Sequence, residues 1–255
     1  MTLPVFIDPD ITHPGEHGEL TAPAAVAHHV VTVRRMQPGD ELQLSDGAGL
    51  RITGSITSAA RDGLRVAISD VTVEDPASPQ LVLVQALAKS GRDLAAVEAA
   101  VEVGVDAVIP WEAQRSIVRW PAAKAGKSIA KWRHTSAAAA EQSRRAFVPA
   151  IGDLVRGSGL ARAFTDSDAV FVLHEDASQP LTAQLRTLAD RLAAAPNGIE
   201  RIVLVVGPEG GISEDEITAL TAAGAQTAVL GASVLRASTA GPVALGLCQA
   251  ALGRW

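Results

Sequence analysis

Residues 205–216 read VVGPEGGISEDE and set one carboxylate, Glu209, among Gly207, Pro208, Gly210 and Gly211. Two valines close an apolar run just before the glycines. Ser213 and Glu216 have the S-x-x-E spacing of a capping box, which predicts a helix from about residue 214. Glycines at the carboxyl end of a parallel strand let a ligand approach the backbone and leave N–H groups to donate. A second stretch, VLGASVLRASTAGP at 229–242, carries Arg236 beside Leu230, Gly231 and Leu235. Ser238, Thr239 or Gly241 is expected to cap the helix behind it, with Pro242 in the first turn. A third, VLHEDAS at 172–178, carries Leu173, His174 and Glu175. Three strand-end loops bearing a carboxylate, a guanidinium and an imidazole could line one pocket. Each residue also has a structural reading: His174 and Glu175 as strand-end caps, Glu209 as a partner for its own turn, Arg236 as a surface cation.

Several chemistries are disfavoured. The glycines lack G-x-x-x-x-G-K-[ST], no lysine follows them, and no G-x-G-x-x-G follows the first strand, so neither a P-loop nor an ordinary dinucleotide fold is supported. No G-x-S-x-G elbow is present, which disfavours a Ser-His-Asp hydrolase. His28 and His29 have no companion Cys or carboxylates at ligand spacing, so no metal is expected. The one cysteine, Cys248, sits in the apolar run ALGLCQAAL and reads as a small core residue. No internal disulfide can form, which fits a reducing cytoplasm.

The loops need elements to hold them. Residues 1–75 show turn signals (PGD, DGAG) between alternating runs such as ELQLSDG and LRVAISDVTV, which predict a small β-barrel or sandwich. EDPASPQ at 74–80 is the linker candidate. From residue 80, apolar runs alternate with helical stretches: LVLVQALA, a helix at 92–103, VDAVIP, a long Ala-rich helix at 128–147, DAVFVLHE, a helix over LTAQLRTLADRLAAA, RIVLVVG, a helix after the capping box, TAVLG, and a closing helix at about 238–252. That rhythm predicts a parallel sheet covered on both faces.

The 255 residues carry a net charge of −6, distributed unevenly. Residues 1–79 hold 5 Lys/Arg and 11 Asp/Glu, and residues 80–255 hold 17 of each. Within the latter, residues 111–145 hold 8 Lys/Arg against 2 Asp/Glu, a local +6 that reads either as a phosphate-binding face or as a solvated helix surface. Hydrophobic residues make up 47%, which marks a globular chain rather than a disordered one. The start shows no secretory signal, and no apolar run of membrane-spanning length occurs.

LVVGPEGGISEDEI together with VLGASVLRASTA resembles the C-terminal signature of the 16S ribosomal RNA (uracil-N3) methyltransferase family, of the SPOUT class. HHVVTVRRMQPGDELQLSDGAG resembles that family's N-terminal domain, and EVGVDAVIPWEAQRSIVRW and KWRHTSAAAAEQSRRAFVPAI resemble its middle, so the likeness covers nearly the whole chain. The resemblance implies an α/β fold: a PUA-like, RNA-binding β-barrel over 1–75, then a SPOUT methyltransferase domain over 80–255 whose parallel sheet ends in a C-terminal trefoil knot. Pattern reasoning alone would not propose a knot, because knots are almost absent from proteins.

It further implies S-adenosylmethionine as cofactor, with Leu173, His174, Gly207, Pro208, Glu209, Gly210, Gly211, Leu230, Gly231 and Leu235 as its binding candidates. Arg236 and Glu209 are the catalytic candidates. The implied reaction is methylation of N3 of uridine 1498 in 16S rRNA of the small ribosomal subunit. The implied enzyme is a cytoplasmic homodimer with RNA across the subunit interface, and with neither metal nor membrane. Arg34, Arg35, Arg115, Lys124, Lys127, Lys131, Arg133, Arg144 and Arg145 are the RNA-binding candidates. One departure stands out: the family commonly has Leu-Arg-Thr-Glu-Thr where this chain has LRAST, so Ser238 occupies the usual glutamate position. A non-catalytic RNA-binding protein of the same class, and a nucleotide-binding protein using the glycine turn for phosphate, are the alternatives.

Overall fold

Alternating side chains in ELQLS, LRITGSI and GLRV give strands with one buried face, and these build the first part of the chain. In the computed structural model, which describes residues 3–14, 18–60, 63–195 and 198–255, β1 (Val5–Ile7), β2 (Glu19–Ala22), β3 (Glu41–Ser45), β4 (Leu50–Ala60) and β5 (Gly63–Val73) form one sheet in the order β1-β3-β4-β5-β2. The β1–β3 pair is parallel and the rest antiparallel. Leu42, Leu44, Ile52, Ile56, Leu64 and Val66 pack with Val26, Ala27 and Val30, which α1 (Ala24–His28) and the π turn His29–Val33 supply. The chain separates into two units, Met1–Pro76 with Ala140–Val148, and Ala77–Ala139 with Pro149–Trp255. The 140–148 segment joins the first unit through a bridge between Ala48 and Phe147 and a 2.8 Å bond from Arg51 Nη2 to the Arg144 carbonyl.

The second unit contains β6 (Gln80–Ala86), α2 (Arg92–Val103), β7 (Ala107–Glu112), α3 (Ala122–Gln142, its last residues in the first unit), β8 (Ala150–Ile151), β9 (Val155–Arg156), β10 (Asp168–Leu173), α4 (Leu181–Ala194), β11 (Arg201–Val206), α5 (Glu214–Ala222), β12 (Gln226–Ala228) and α6 (Ala237–Ala251). All its strand pairs are parallel, in the order β12-β10-β11-β6-β7-β8, with β9 also on β7. Central strands β6 and β11 are nearly continuous apolar runs because helices cover both faces. After the edge strand β12 the chain returns to mid-sheet, and α6 packs on β6, β11, α2 and α4. Gly241 permits that approach: a Cβ there would lie 2.9 Å from Leu83 Cδ1. Gln249 Nε2 donates to the Val103 and Gly104 carbonyls at 3.1 and 3.2 Å, closing the end of α2. Burial pushes the Cys248 thiol up to about 12, the behaviour of a core residue.

Three expectations shift. The Ala-rich helix runs 122–142 rather than 128–147, so Arg144 and Arg145 lie beyond it, Arg144 with φ 58°. β12 stops at Ala228, short of the strand expected through Leu230. α6 begins at Ala237 with no side-chain cap. The Arg236 carbonyl accepts from Thr239 at 2.8 Å and Ala240 at 3.0 Å, and the start at Ala237 puts Pro242 in the second turn rather than the first.

Candidate functional site

β10, β11 and β12 end level with one another, because Leu173 pairs with both Val206 and Ala228 in the parallel register. The three following loops therefore leave the sheet together. They enclose a cavity of about 350 Å³, in the size range of small-ligand sites. Leu173, His174, Gly207, Pro208, Glu209, Gly211, Leu230, Gly231, Leu235 and Arg236 all line it. Gly210 does not: a Cβ there would stand 3.0 Å from the Arg115 carbonyl oxygen, so this glycine faces the loop after β7 and not the cavity.

The other glycines also have packing reasons. A Cβ on Gly207 would fall 2.6 Å from Ile212 Cγ1, and Gly211 adopts φ +74°. Close folding of the turn on itself thus demands the small residues, in addition to any ligand. The capping box forms: Ser213 N–H donates to Glu216 Oε2 at 3.1 Å, and Glu216 N–H donates to Ser213 Oγ at 3.3 Å. Glu216 does more than its motif foretold. Its Oε1 accepts the Gln114 N–H at 2.7 Å, tying α5 to the loop after β7.

Glu209 is engaged. Its Oε1 lies 3.3 Å from both the Lys89 N–H and Arg92 Nη1, so it links the glycine turn to the loop after β6. Arg92 lines the cavity and was missed in the sequence. Its signal is KSGRD, where Ser90 (φ 60°) and Gly91 (φ 71°) turn the chain before α2. The His174 side chain serves its own turn, with Nδ1 accepting the Asp176 N–H at 3.2 Å, and the backbone N–H of His174 donates to the Ala228 carbonyl at 3.0 Å. Arg236 is exposed at the cavity wall, and no described residue pairs with its guanidinium. Ser238, half-buried, follows in the first turn of α6.

The sheet is anchored at the other end of these strands. Arg201 grips Asp168 with Nε at 2.7 Å and Nη2 at 2.5 Å. Burial alone would raise the Asp168 pKa, but the Arg201 fork and the Thr165 N–H outweigh it and hold the carboxyl below its usual range.

The RNA-binding candidates are divided between the two units. Arg115, Lys124, Lys127, Lys131 and Arg133 are exposed in the second unit, whereas Arg34, Arg35, Arg144 and Arg145 belong to the first. Among the described residues no group of His, Cys, Asp and Glu could hold a metal, and no helix is long and apolar enough to cross a membrane.

The chain matches the model of an RNA methyltransferase domain over residues 75–249 and that of an RNA methyltransferase PUA domain over residues 23–69. It is 40% identical over 231 residues to the ribosomal RNA small subunit methyltransferase E of Mycobacterium tuberculosis, covering 89% of this chain and 84% of that protein. It is 30% identical over 214 residues to the Bacillus subtilis protein of that name, covering 84% and 82%. A crystal structure of the Neisseria gonorrhoeae protein of that name, bound to S-adenosyl methionine, superposes with a TM-score of 0.81 at 25% identity and covers 98% of each chain.

Proposed function

The chain belongs to the RNA methyltransferase family, and from that premise we propose that it methylates N3 of one uridine, uridine 1498 of 16S rRNA. It is an S-adenosylmethionine-dependent methyltransferase of small-subunit ribosomal RNA. The observation that carries the finer reading is the strand-end cavity whose wall holds a cation, Arg236, unpaired among the described residues.

The lining fits the cofactor. Leu173, Ile212, Val229, Leu230 and Leu235 offer apolar surface for an adenine, and a few polar groups converge among them. Held there, S-adenosylmethionine supplies a methyl group activated by a positive sulfur. The chain's own task is to orient the uracil and to meet its charge. As N3 gives up its proton to solvent water, negative charge spreads over O2 and O4, and the guanidinium of Arg236 stabilises it. Glu209 holds Arg92 and the loop after β6, so it acts in positioning. N3 lies on the Watson–Crick edge, so the uridine enters unpaired. We read the path of α6 beneath mid-sheet as the trefoil knot, and the protein as a cytoplasmic homodimer. Supporting the dimer, Val234, Val243 and Trp255 of the second unit are 76%, 41% and 71% exposed, apolar surface that a partner copy would cover.

The test is transfer of labelled methyl from S-adenosylmethionine to small ribosomal subunits, followed by mass spectrometry of the RNA. 3-Methyluridine at one position is expected. Label on another base, or at another ring atom, would refute the N3 assignment.

A further inference from the structure

The cations on α3 are exposed, and three arginines elsewhere are held in place. β7 ends at Glu112, whose side chain is 11% exposed. Its Oε1 lies 3.4 Å from Arg119 Nη1 and 3.6 Å from Arg156 Nε, and its Oε2 accepts the Trp120 N–H at 2.8 Å. Arg119 also donates to the carbonyls of Ala113 and Gln114 at 3.2 and 2.6 Å, and Arg156 Nη2 donates to that of Trp120 at 3.1 Å. Arg115 reaches the Gly210 carbonyl at 3.4 Å, and Glu216 pins the same loop through the Gln114 N–H. Residues 113–120 thus form a braced shelf at the carboxyl end of β7, against the glycine turn.

Charge on this shelf does not balance. One buried carboxylate faces two guanidinia, and Arg115 meets only a carbonyl among the described residues. Arg119 and Arg156 are 49% and 52% exposed. Nε of Arg119 and Nη1 of Arg156 keep N–H groups with no acceptor among the described residues. Their rotamers are already fixed, so an incoming anion orders little more. A planar guanidinium with free donors matches phosphate oxygens.

Resting on the reading of this protein as an rRNA methyltransferase, we propose that Arg115, Arg119 and Arg156 grip phosphates of the RNA strand that carries the target base, beside the cofactor cavity. Arg119 lies within the basic 111–145 segment but is not among the RNA-binding candidates named from the sequence, and Arg156 lies beyond that segment.

The test measures binding of a small-subunit rRNA fragment over a range of salt, by anisotropy, for wild type, Arg119→Gln/Arg156→Gln and Arg115→Gln. Each phosphate that a variant leaves unneutralised on a single strand lowers the slope of log K against log salt by about 0.7. The double variant should therefore lose about 1.4 and Arg115→Gln about 0.7. S-adenosylmethionine affinity, by calorimetry, should stay within about twofold, less than the tenfold that corresponds to one strong contact. Unchanged slopes overturn the proposal. So does a change in the mass of the protein in solution without a change in slope, because the shelf would then face a partner copy. If the double variant fails to melt cooperatively, Arg115→Gln alone decides by the same criterion. Wild-type protein that methylates N3 while the variants keep its salt slope refutes the shelf alone; wild-type protein without N3 transfer refutes the underlying reading.

Discussion

Two charged residues of the cavity have opposite situations. Glu209 has two donors on one oxygen, whereas Arg236 has none of its N–H groups paired by a described residue. A free cation facing developing charge acts mainly in the transition state. Arg236→Ala is therefore expected to lower kcat by about a hundredfold or more, the scale of losing one preorganised donor. Arg236→Lys should recover only part, because a point charge does not reproduce a planar fork. Single-turnover methylation at saturating cofactor and RNA checks this; a normal rate with weakened cofactor binding would move Arg236 to a binding role. At Gly207 the constraint is steric. An added Cβ would sit 2.6 Å from Ile212 Cγ1, so Gly207→Ala should cost about 1–3 kcal/mol by overpacking. In a double-mutant cycle with Ile212→Ala, measured by urea denaturation, the combined loss should fall short of the sum. Additive losses would mean that the two sites do not share that space.

Among elements, the level ends of β10, β11 and β12 bring the three loops together, and the Arg201–Asp168 pair fixes the start of two of those strands. The Asp168 carboxyl titrates below its unfolded value near 3.8. A depressed carboxyl stabilises the fold above the unfolded pKa, and that contribution fades as pH falls through the lower folded value. Asp168→Asn should thus lower stability at pH 7 by about 1.5–3 kcal/mol, the range for hydrogen bonds to a charged group. The gap from wild type should narrow below about pH 4 as the wild-type carboxyl protonates. Urea midpoints at neutral and acid pH test this, and a gap that stays constant would show that the charge contributes nothing.

At the scale of the molecule, the proposed homodimer gives a direct expectation. Light scattering should report about twice the 26.3 kDa of the chain. Val234→Asp with Val243→Asp, which puts charge on apolar surface 76% and 41% exposed, should shift the mass toward one chain. A monomeric wild type, or an unshifted variant, would point to another role for that surface.

Local signals alone determined much of this protein. Period-two alternation marked β3 and β5, continuous apolar runs marked β6 and β11, and Ser213 with Glu216 marked the start of α5. Each of these rests on interactions within a few residues, so the chain's order discloses them. Those residues of the cavity that follow the ends of β10, β11 and β12 were legible for the same reason. What those residues touch was decided only by the tertiary structure. Lys89 meets Glu209 across 120 positions and Gln114 meets Glu216 across 102. Gly210 turned toward Arg115, Arg92 entered the cavity, and Arg119 and Arg156 converged on Glu112. Such contacts depend on strand order and register in a parallel sheet, where neighbours in space come from crossovers rather than from adjacent sequence.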